Sequence, residues 1–527
     1  MTSTAAQSAL LPDVDDVVRL CAEVIGVASL SLESNFFDAG GDSITAARLA
    51  VLLEEEWNAP VDVFAIMAAE DLREIHGGLL DSVLATHRRD AVPPRPPGAL
   101  MPSLNQEVRL RMDAEVADTL GRRHTHTLAL AFRSTEVIDP DRLRRALRSV
   151  ALRHEPLRSV FPSPAEVVVL DDVTPDLAVR EIESCADASL REVVEQHAAT
   201  AFDLAAAPPW SVLLLRHQDH CQVVSLTLDH LLADGESVEI LLRDLADAYD
   251  EDAPLAPMRP SYYDWAHWQR AAQLPVALDH AAGLVDDANP GQALLPELRL
   301  TIQEQLGPSA LGLARHTLPP RPVRALAEVA AELGGTLFQA LLLCYGAVVD
   351  RVRVPGRSGM VISVSNRARA ETRDMFGWVA NMVFLPLHLD ESASVTDGLA
   401  NVHAALAGIG EISTVPVRVL QEHLWRGDWS ISRFPGVFVE FRKESPVDLE
   451  AWGGRWRRVK LETPIFLLPG LSLWLRQRLD GSLDMTLGYD RGQLSTARAR
   501  ALLGDVASAV DDAVVPERLL GTLGNQQ

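Results

Sequence analysis

The chain has 527 residues, of which 73 are acidic and 48 basic, giving a net charge of −25, and 47% are hydrophobic. That length suits about three folding units, because single cores stop growing beyond roughly 250 to 300 residues, and the acidic balance argues against a nucleic-acid partner. The four cysteines have no Cys-x-x-Cys spacing. The N-terminus, Met1-Thr2-Ser3-Thr4-Ala5, has no basic or apolar signal segment, and no apolar run reaches the roughly 20 residues of a spanning helix. The expectation is a cytoplasmic protein with no metal centre and no membrane segment.

In chain order, residues 13–25 place Val17, Leu20 and Val24 on one helical face behind an acidic first turn. The segment from Ser43 repeats the pattern with Ile44, Ala47 and Val51, so residues 10–85 read as a small all-α bundle. Residues 86–102 carry Pro93, Pro94, Pro96 and Pro97 and read as a semi-rigid linker. Beyond it the pattern is mixed. Residues 127–132 and 223–228 read as strands, and 141–153, 237–249 and 322–333 as helices. A break at about 272–298, where Asp287, Asn289, Pro290 and Gly291 interrupt the periodicity, divides this part into two α/β lobes at 103–275 and 290–520.

Two short motifs carry chemistry. In Gly40-Gly41-Asp42-Ser43-Ile44 the glycines permit a tight, open turn, and Ser43 then starts a helix, where its hydroxyl is both a cap and a reachable nucleophile. Taken alone, the pattern is more often an ordinary serine cap. Asp229-His230-Leu231-Leu232-Ala233-Asp234-Gly235 follows an apolar strand and precedes a helix, so its polar groups fall on a strand-to-helix loop of the kind that often holds catalytic residues. A histidine beside two aspartates is also a common structural hydrogen-bond cluster. His230 is the candidate for handling a nucleophile's proton. Asp234 is expected to hold the loop by pairing with an arginine, Arg367 or Arg158. Asn381 is expected either to bond substrate or to brace its surroundings, and Gly235 to allow a backbone turn. Asp229 is expected to accept a bond within the loop or to hold His230, where a carboxylate would favour the imidazolium.

Asn35-Phe36-Phe37-Asp38-Ala39-Gly40-Gly41-Asp42-Ser43-Ile44 resembles the core motif of peptidyl carrier proteins of non-ribosomal peptide synthetases, departing at Ala39, where leucine is usual. The resemblance implies a four-helix carrier bundle whose Ser43 carries 4′-phosphopantetheine, installed by a phosphopantetheinyl transferase. Residues 229–235 resemble the HHxxxDG motif of condensation domains, with Asp229 in place of the first histidine. Arg153-His154-Glu155-Pro156-Leu157-Arg158 resembles the same family's RHExLR motif. Tyr262-Tyr263-Asp264-Trp265-Ala266-His267-Trp268-Gln269, Ser365-Asn366-Arg367, Phe376-Gly377-Trp378-Val379-Ala380-Asn381 and Tyr489-Asp490 match its later landmarks in order. Ser103-Leu104-Asn105-Gln106 is a weak version of its opening motif and lacks the usual tryptophan.

This resemblance implies a chloramphenicol-acetyltransferase-like fold of two α/β lobes, and transfer of an acyl or peptidyl group from a phosphopantetheine thioester to an amine or hydroxyl. Asp229, Asp234 and Ser237 also fit the DxxxxDxxS signature of heterocyclisation domains. A further alternative is a silent domain that recruits another enzyme to a carrier-bound substrate. With no adenylation segment in the chain, the expected partners are a trans-acting adenylation or acyl-loading enzyme, and an upstream or downstream synthetase protein or a free small-molecule acceptor.

Overall fold

The computed structural model describes residues 12–41, 43–57, 61, 66, 69, 71–88, 92–120, 126–134, 136–173, 176–183, 187–217, 221–284, 311–351, 359–367, 369–410, 412–424, 437–444, 448–452, 454–459, 471–491 and 494–524. The chain forms two compact units, Met1–Ala91 and Val92–Gln527.

The first unit contains α1 (Val14–Ile25), α2 (Ser43–Trp57) and α3 (Leu72–Arg88). Helix α1 starts where the Asp13 carboxylate accepts the Asp15 N–H and stops at Gly26, which takes the left-handed φ of +83°, the usual cap at each end. Val17, Leu20, Cys21 and Val24 pack with Phe36, with Leu49 and Leu53 of α2, and with Leu72, Ile75 and Leu79 of α3. The side chains of Ile44, Ala47 and Val51 lie outside the described residues, as do most of residues 58–70, which a fourth helix between α2 and α3 would need.

The second unit opens with an extended segment. Val92 is buried, and Arg95 donates to Glu155, Ser261 and Asp264 at 2.9–3.1 Å. From Val92 onward the proline-rich stretch is therefore docked on the unit it precedes and does not act as a free spacer. The first lobe follows as α4 (Leu104–Leu120), β1 (Thr127–Ser134), α5 (Pro140–Arg153), β2 (Ser159–Ser163), β3 (Glu166–Val169), β4 (Leu177–Glu181), α6 (Asp187–Ala198), β5 (Trp210–His217), β6 (Cys221–Asp229) and α7 (Gly235–Glu251). Both faces of β6 are covered: Val224, Leu226 and Leu228 face the main core, and Val223 lies in a second cluster with Leu190 and Val194 of α6. This explains an apolar run without alternation.

Next come α8 (Tyr262–Trp268), α9 (Leu274–Leu284), β7 (Leu311–Leu318), α10 (Pro320–Glu332), α11 (Leu337–Asp350), β8 (Met360–Val364), β9 (Asn381–Leu385), α12 (Val395–Gly408), α13 (Val417–Leu424), β10 (Val437–Lys443), β11 (Asp448–Ala451), β12 (Gly454–Arg458), β13 (Leu471–Gln477), β14 (Leu483–Asp490) and α14 (Thr496–Asp512). The start of the expected break at 272–298 is helical, within α9, and residues 285–310 lie outside the described residues. Among the described residues no single helix is long and apolar enough to cross a membrane.

Two six-stranded sheets form, ordered β11-β12-β1-β6-β5-β4 and β7-β14-β13-β10-β8-β9. The first recruits β11 and β12 from far along the chain: Phe132 and Arg133 of β1 pair antiparallel with Arg458 and Arg457. Trp452 and Trp456 come with that excursion and enter the first lobe's core beside Met375, Phe376 and Val379. The lobes are thus interleaved in sequence. Trp456 is fully buried, and truncating a large buried aromatic costs about 3–5 kcal/mol. Trp456→Ala should lower the urea-unfolding free energy of the second unit by that amount, whereas a value under about 1 kcal/mol would mean that the excursion adds little to the lobe.

Candidate functional site

The candidate site lies at the C-terminal end of β6, where the chain turns into α7. Asp234 caps α7, its Oδ1 accepting the Ser237 N–H at 2.8 Å and the Ser237 hydroxyl at 2.7 Å. The same carboxylate accepts from Arg367 Nη2 at 2.9 and 3.1 Å, and its Oδ2 accepts the N–H groups of Val379 and Ala380 at 3.0 and 2.8 Å. Arg367 in turn donates through Nη1 to the carbonyls of Thr372 and Met375, both at 2.7 Å. Burial by itself would raise the Asp234 pKa, but Arg367 and these donors hold it below the usual carboxylate range.

Arg367, one of the two expected partners, is therefore the one that pairs. Arg158 does not, because it closes the turn into β2 and donates to the Leu170 carbonyl. Gly235 also departs from expectation. It is the first residue of α7 and is not among the glycines with positive φ, so no turn requires it. A Cβ there would lie 2.7 Å from the Arg442 guanidinium, which occupies the space over the helix start.

His230 donates its backbone N–H to the His126 carbonyl at 2.8 Å. Its ring packs against His126, with centroids 4.4 Å apart and planes tilted by 31°, and meets Trp378 in an edge-type contact, also at 4.4 Å. Nδ1 is buried with no hydrogen-bond partner. Burial first, then the nearby Arg109 charge, pushes the His230 pKa from 6.5 down to about 4. The ring is therefore neutral near pH 7, contrary to the expectation that Asp229 would favour the imidazolium.

Asp229 turns away from that role. Its Oδ1 accepts the Leu231 N–H at 2.9 Å, and its charge is set against Arg109. Burial nevertheless raises its pKa. Arg109 binds Asp113 through Nε at 2.8 and 2.9 Å and lies one turn after Gln106, whose Nε2 donates to the Leu231 carbonyl at 2.8 Å. Helix α4 is thus fastened beneath the loop. Sequence reasoning missed Arg109, although its three-residue spacing from Gln106 in the opening motif was the available signal.

Asn381 is a brace. Its Nδ2 donates to the Ser413 carbonyl and its Oδ1 accepts the Met382 N–H, both at 2.8 Å. In the second expected motif, His154 is buried against Asp244 at 2.8 Å. Trp378, quoted only as part of a motif, packs on the candidate base. The hydroxyl of Ser237 and both motif aspartates are engaged internally.

In the first unit, Ser43 opens α2, and its side chain lies outside the described residues. The loop before it is tightly built. Asn35 Oδ1 accepts the N–H groups of Phe37 and Asp38 at 2.8 and 3.0 Å, Gly40 has φ +108°, and a Cβ on Gly41 would lie 2.4 Å from the Phe36 ring. The first turn of α2 contains no acidic side chain, and helix N-termini favour a phosphodiester. These features fit a phosphorylated arm on Ser43.

The chain matches the condensation domain family over residues 117–430, and a phosphopantetheine attachment site over residues 15–76. The first match covers more than half of the chain, so the protein belongs to the condensation-domain family. Joined to a carrier that bears covalent 4′-phosphopantetheine, it is a carrier–condensation didomain of the non-ribosomal peptide synthetase type. It is 25% identical over 454 residues to the cyclosporin synthetase simA of Tolypocladium inflatum, covering 82% of this chain and 3% of that protein. It is 30% identical over 296 residues to phosphinothricin tripeptide synthetase PhsC of Streptomyces viridochromogenes, covering 53% of this chain and 27% of that protein. The chain thus spans only a small part of these relatives. Its fold is that of the X-domain in complex with OxyB from teicoplanin biosynthesis, with TM-score 0.66, 21% identity and coverage of 82% of this chain and 98% of that one. The condensation domain of the monacolin K polyketide synthase MokA matches with TM-score 0.63 at 18% identity, covering 80% and 98%. The chloramphenicol-acetyltransferase-like architecture expected from the motifs is the observed one.

Removing one partner of a buried ion pair costs about 3–5 kcal/mol, so Arg367→Met should destabilise the second unit by that amount in chemical denaturation. The depressed Asp234 pKa adds a pH signature. Its contribution is complete above the unfolded pKa of roughly 3.9 and disappears as pH falls through the lower folded value. A wild-type minus Arg367→Met stability difference that stays constant on acidification from pH 5 to about pH 2 would contradict the pairing.

Proposed function

We propose that this protein is an acyltransferase of non-ribosomal peptide biosynthesis, moving an acyl or peptidyl group from a phosphopantetheine thioester to an amine or hydroxyl and forming an amide or ester. The observation that carries the reading is the neutral, half-buried His230 imidazole, set at a strand end by a loop whose Asp234 is locked to Arg367. Bound to Ser43, the phosphopantetheine arm supplies a thiol able to carry an acyl group as a thioester.

The chain's own residues do the rest. His230, with Nδ1 buried, presents Nε2 to the nucleophile and takes up or positions its proton as the nucleophile bonds to the acyl carbon. Asp234, Arg367 and Asn381 keep the loop and the 377–381 segment in place. Asp229 belongs to the loop's own bonding and to Arg109. The relatives are peptide synthetases by name, which fits work with other synthetase modules; the partners this reading calls for are a trans-acting adenylation or acyl-loading enzyme, a phosphopantetheinyl transferase, and a neighbouring synthetase or a free acceptor, in the cytoplasm. The second reading, a silent recruitment domain, draws on Asp229 in place of the first motif histidine.

Intact-protein mass spectrometry with coenzyme A and a phosphopantetheinyl transferase should add the arm to wild type and not to Ser43→Ala. Once acyl thioester is loaded, His230→Ala should lower turnover roughly 10²- to 10⁴-fold if the residue acts in the proton step. Unchanged turnover, or none in wild type with any acceptor tried, favours recruitment. The pH profile offers a separate check. With the His230 pKa held at about 4 in place of 6.5, the acid limb that depends on this residue should lie near pH 4, and a limb near 6.5 would mean that the free site leaves the imidazole solvated.

A further inference from the structure

An imidazole that handles a proton is ordinarily held in one plane by a hydrogen bond to its other ring nitrogen. Nδ1 of His230 is buried and has no such bond. Two aromatic rings lie against it instead. The His126 ring is 4.4 Å away with its plane tilted by 31°, and the Trp378 ring is 4.4 Å away at 62°. His126 comes immediately before β1, and its carbonyl accepts the His230 backbone N–H at 2.8 Å. One residue therefore holds both the main chain and the ring of His230. The charged groups around these rings are Arg109 from α4, Asp234 from the loop and Arg442 from β10, and none of them bonds to Nδ1.

We propose that His126 is a second histidine of the active site, a positioning residue whose ring clamps the His230 imidazole in place beside Trp378. The inference rests on the reading of His230 as the group that handles the nucleophile's proton. Face packing needs a flat side chain and not a titratable one. Phenylalanine at position 126 should therefore do the work of histidine, and alanine should not.

The test uses the full, arm-loaded chain with His126→Ala and His126→Phe, each checked for wild-type thermal unfolding. Two quantities are read: kcat and KM for acyl transfer, and the rate at which diethyl pyrocarbonate modifies His230, followed by peptide mass spectrometry. Small misplacements of a catalytic group cost up to roughly 100-fold, so His126→Ala should lower kcat about 10- to 100-fold with KM within about twofold. The uncovered His230 ring should be modified several times faster, and His126→Phe should restore both readings. Modification at the wild-type rate in His126→Ala overturns the clamp, and so does a His126→Phe protein as impaired as the alanine variant. Should wild type transfer no acyl group, the functional reading fails by itself, and the modification rates of the three proteins still decide the clamp.

Discussion

The structure of the site depends on one buried carboxylate. Asp234 accepts from the start of α7, from Arg367 and from the Val379 and Ala380 backbone at 2.7–3.1 Å. These partners come from different stretches of chain, and satisfying a buried charge with this many donors is what makes the arrangement stable. Arg367 is in turn held by the Thr372 and Met375 carbonyls, so the segment that carries Trp378 and Asn381 is fixed relative to His230. The aspartate acts by geometry and need not touch a reactant.

The electrostatics of the site follow from what lies beneath it. Arg109 is buried among Asp113, Asp229 and His230, and burial would lower its pKa were the two carboxylates not there to raise it. Burial raises the pKa of both Asp113 and Asp229 despite Arg109. At His230 desolvation acts first and the Arg109 charge adds to it, so the ring stays neutral. A neutral imidazole is the form able to accept a proton. Asp229, where the family motif has a histidine, therefore leaves His230 in the neutral form, because the carboxylate is matched by a guanidinium from another helix.

Much of the fold was legible from the sequence because it is local. The apolar periodicity of α1, the helical pattern of 141–153 within α5, and the apolar run of 223–228 within β6 each follow from a few adjacent residues. Ser43 at a helix start after two glycines, and His230 on a strand-to-helix loop, were likewise legible, since both are defined by neighbours in the chain. Gly235 was misread for the same reason: next to Asp234 it looks like a turn glycine, while the group that occupies the space above it, Arg442, is more than 200 residues away.

The sequence by itself thus determined the classes of element and the carrier and condensation motifs. Tertiary structure alone decided which arginine pairs with Asp234, that Asp229 faces Arg109, that β11 and β12 complete the first sheet, and that His126 and Trp378 pack against His230. The division has a physical reason. Propensity, capping and turn chemistry act over a few residues, whereas the partner of a buried charge or ring is chosen by packing between segments that are distant in sequence.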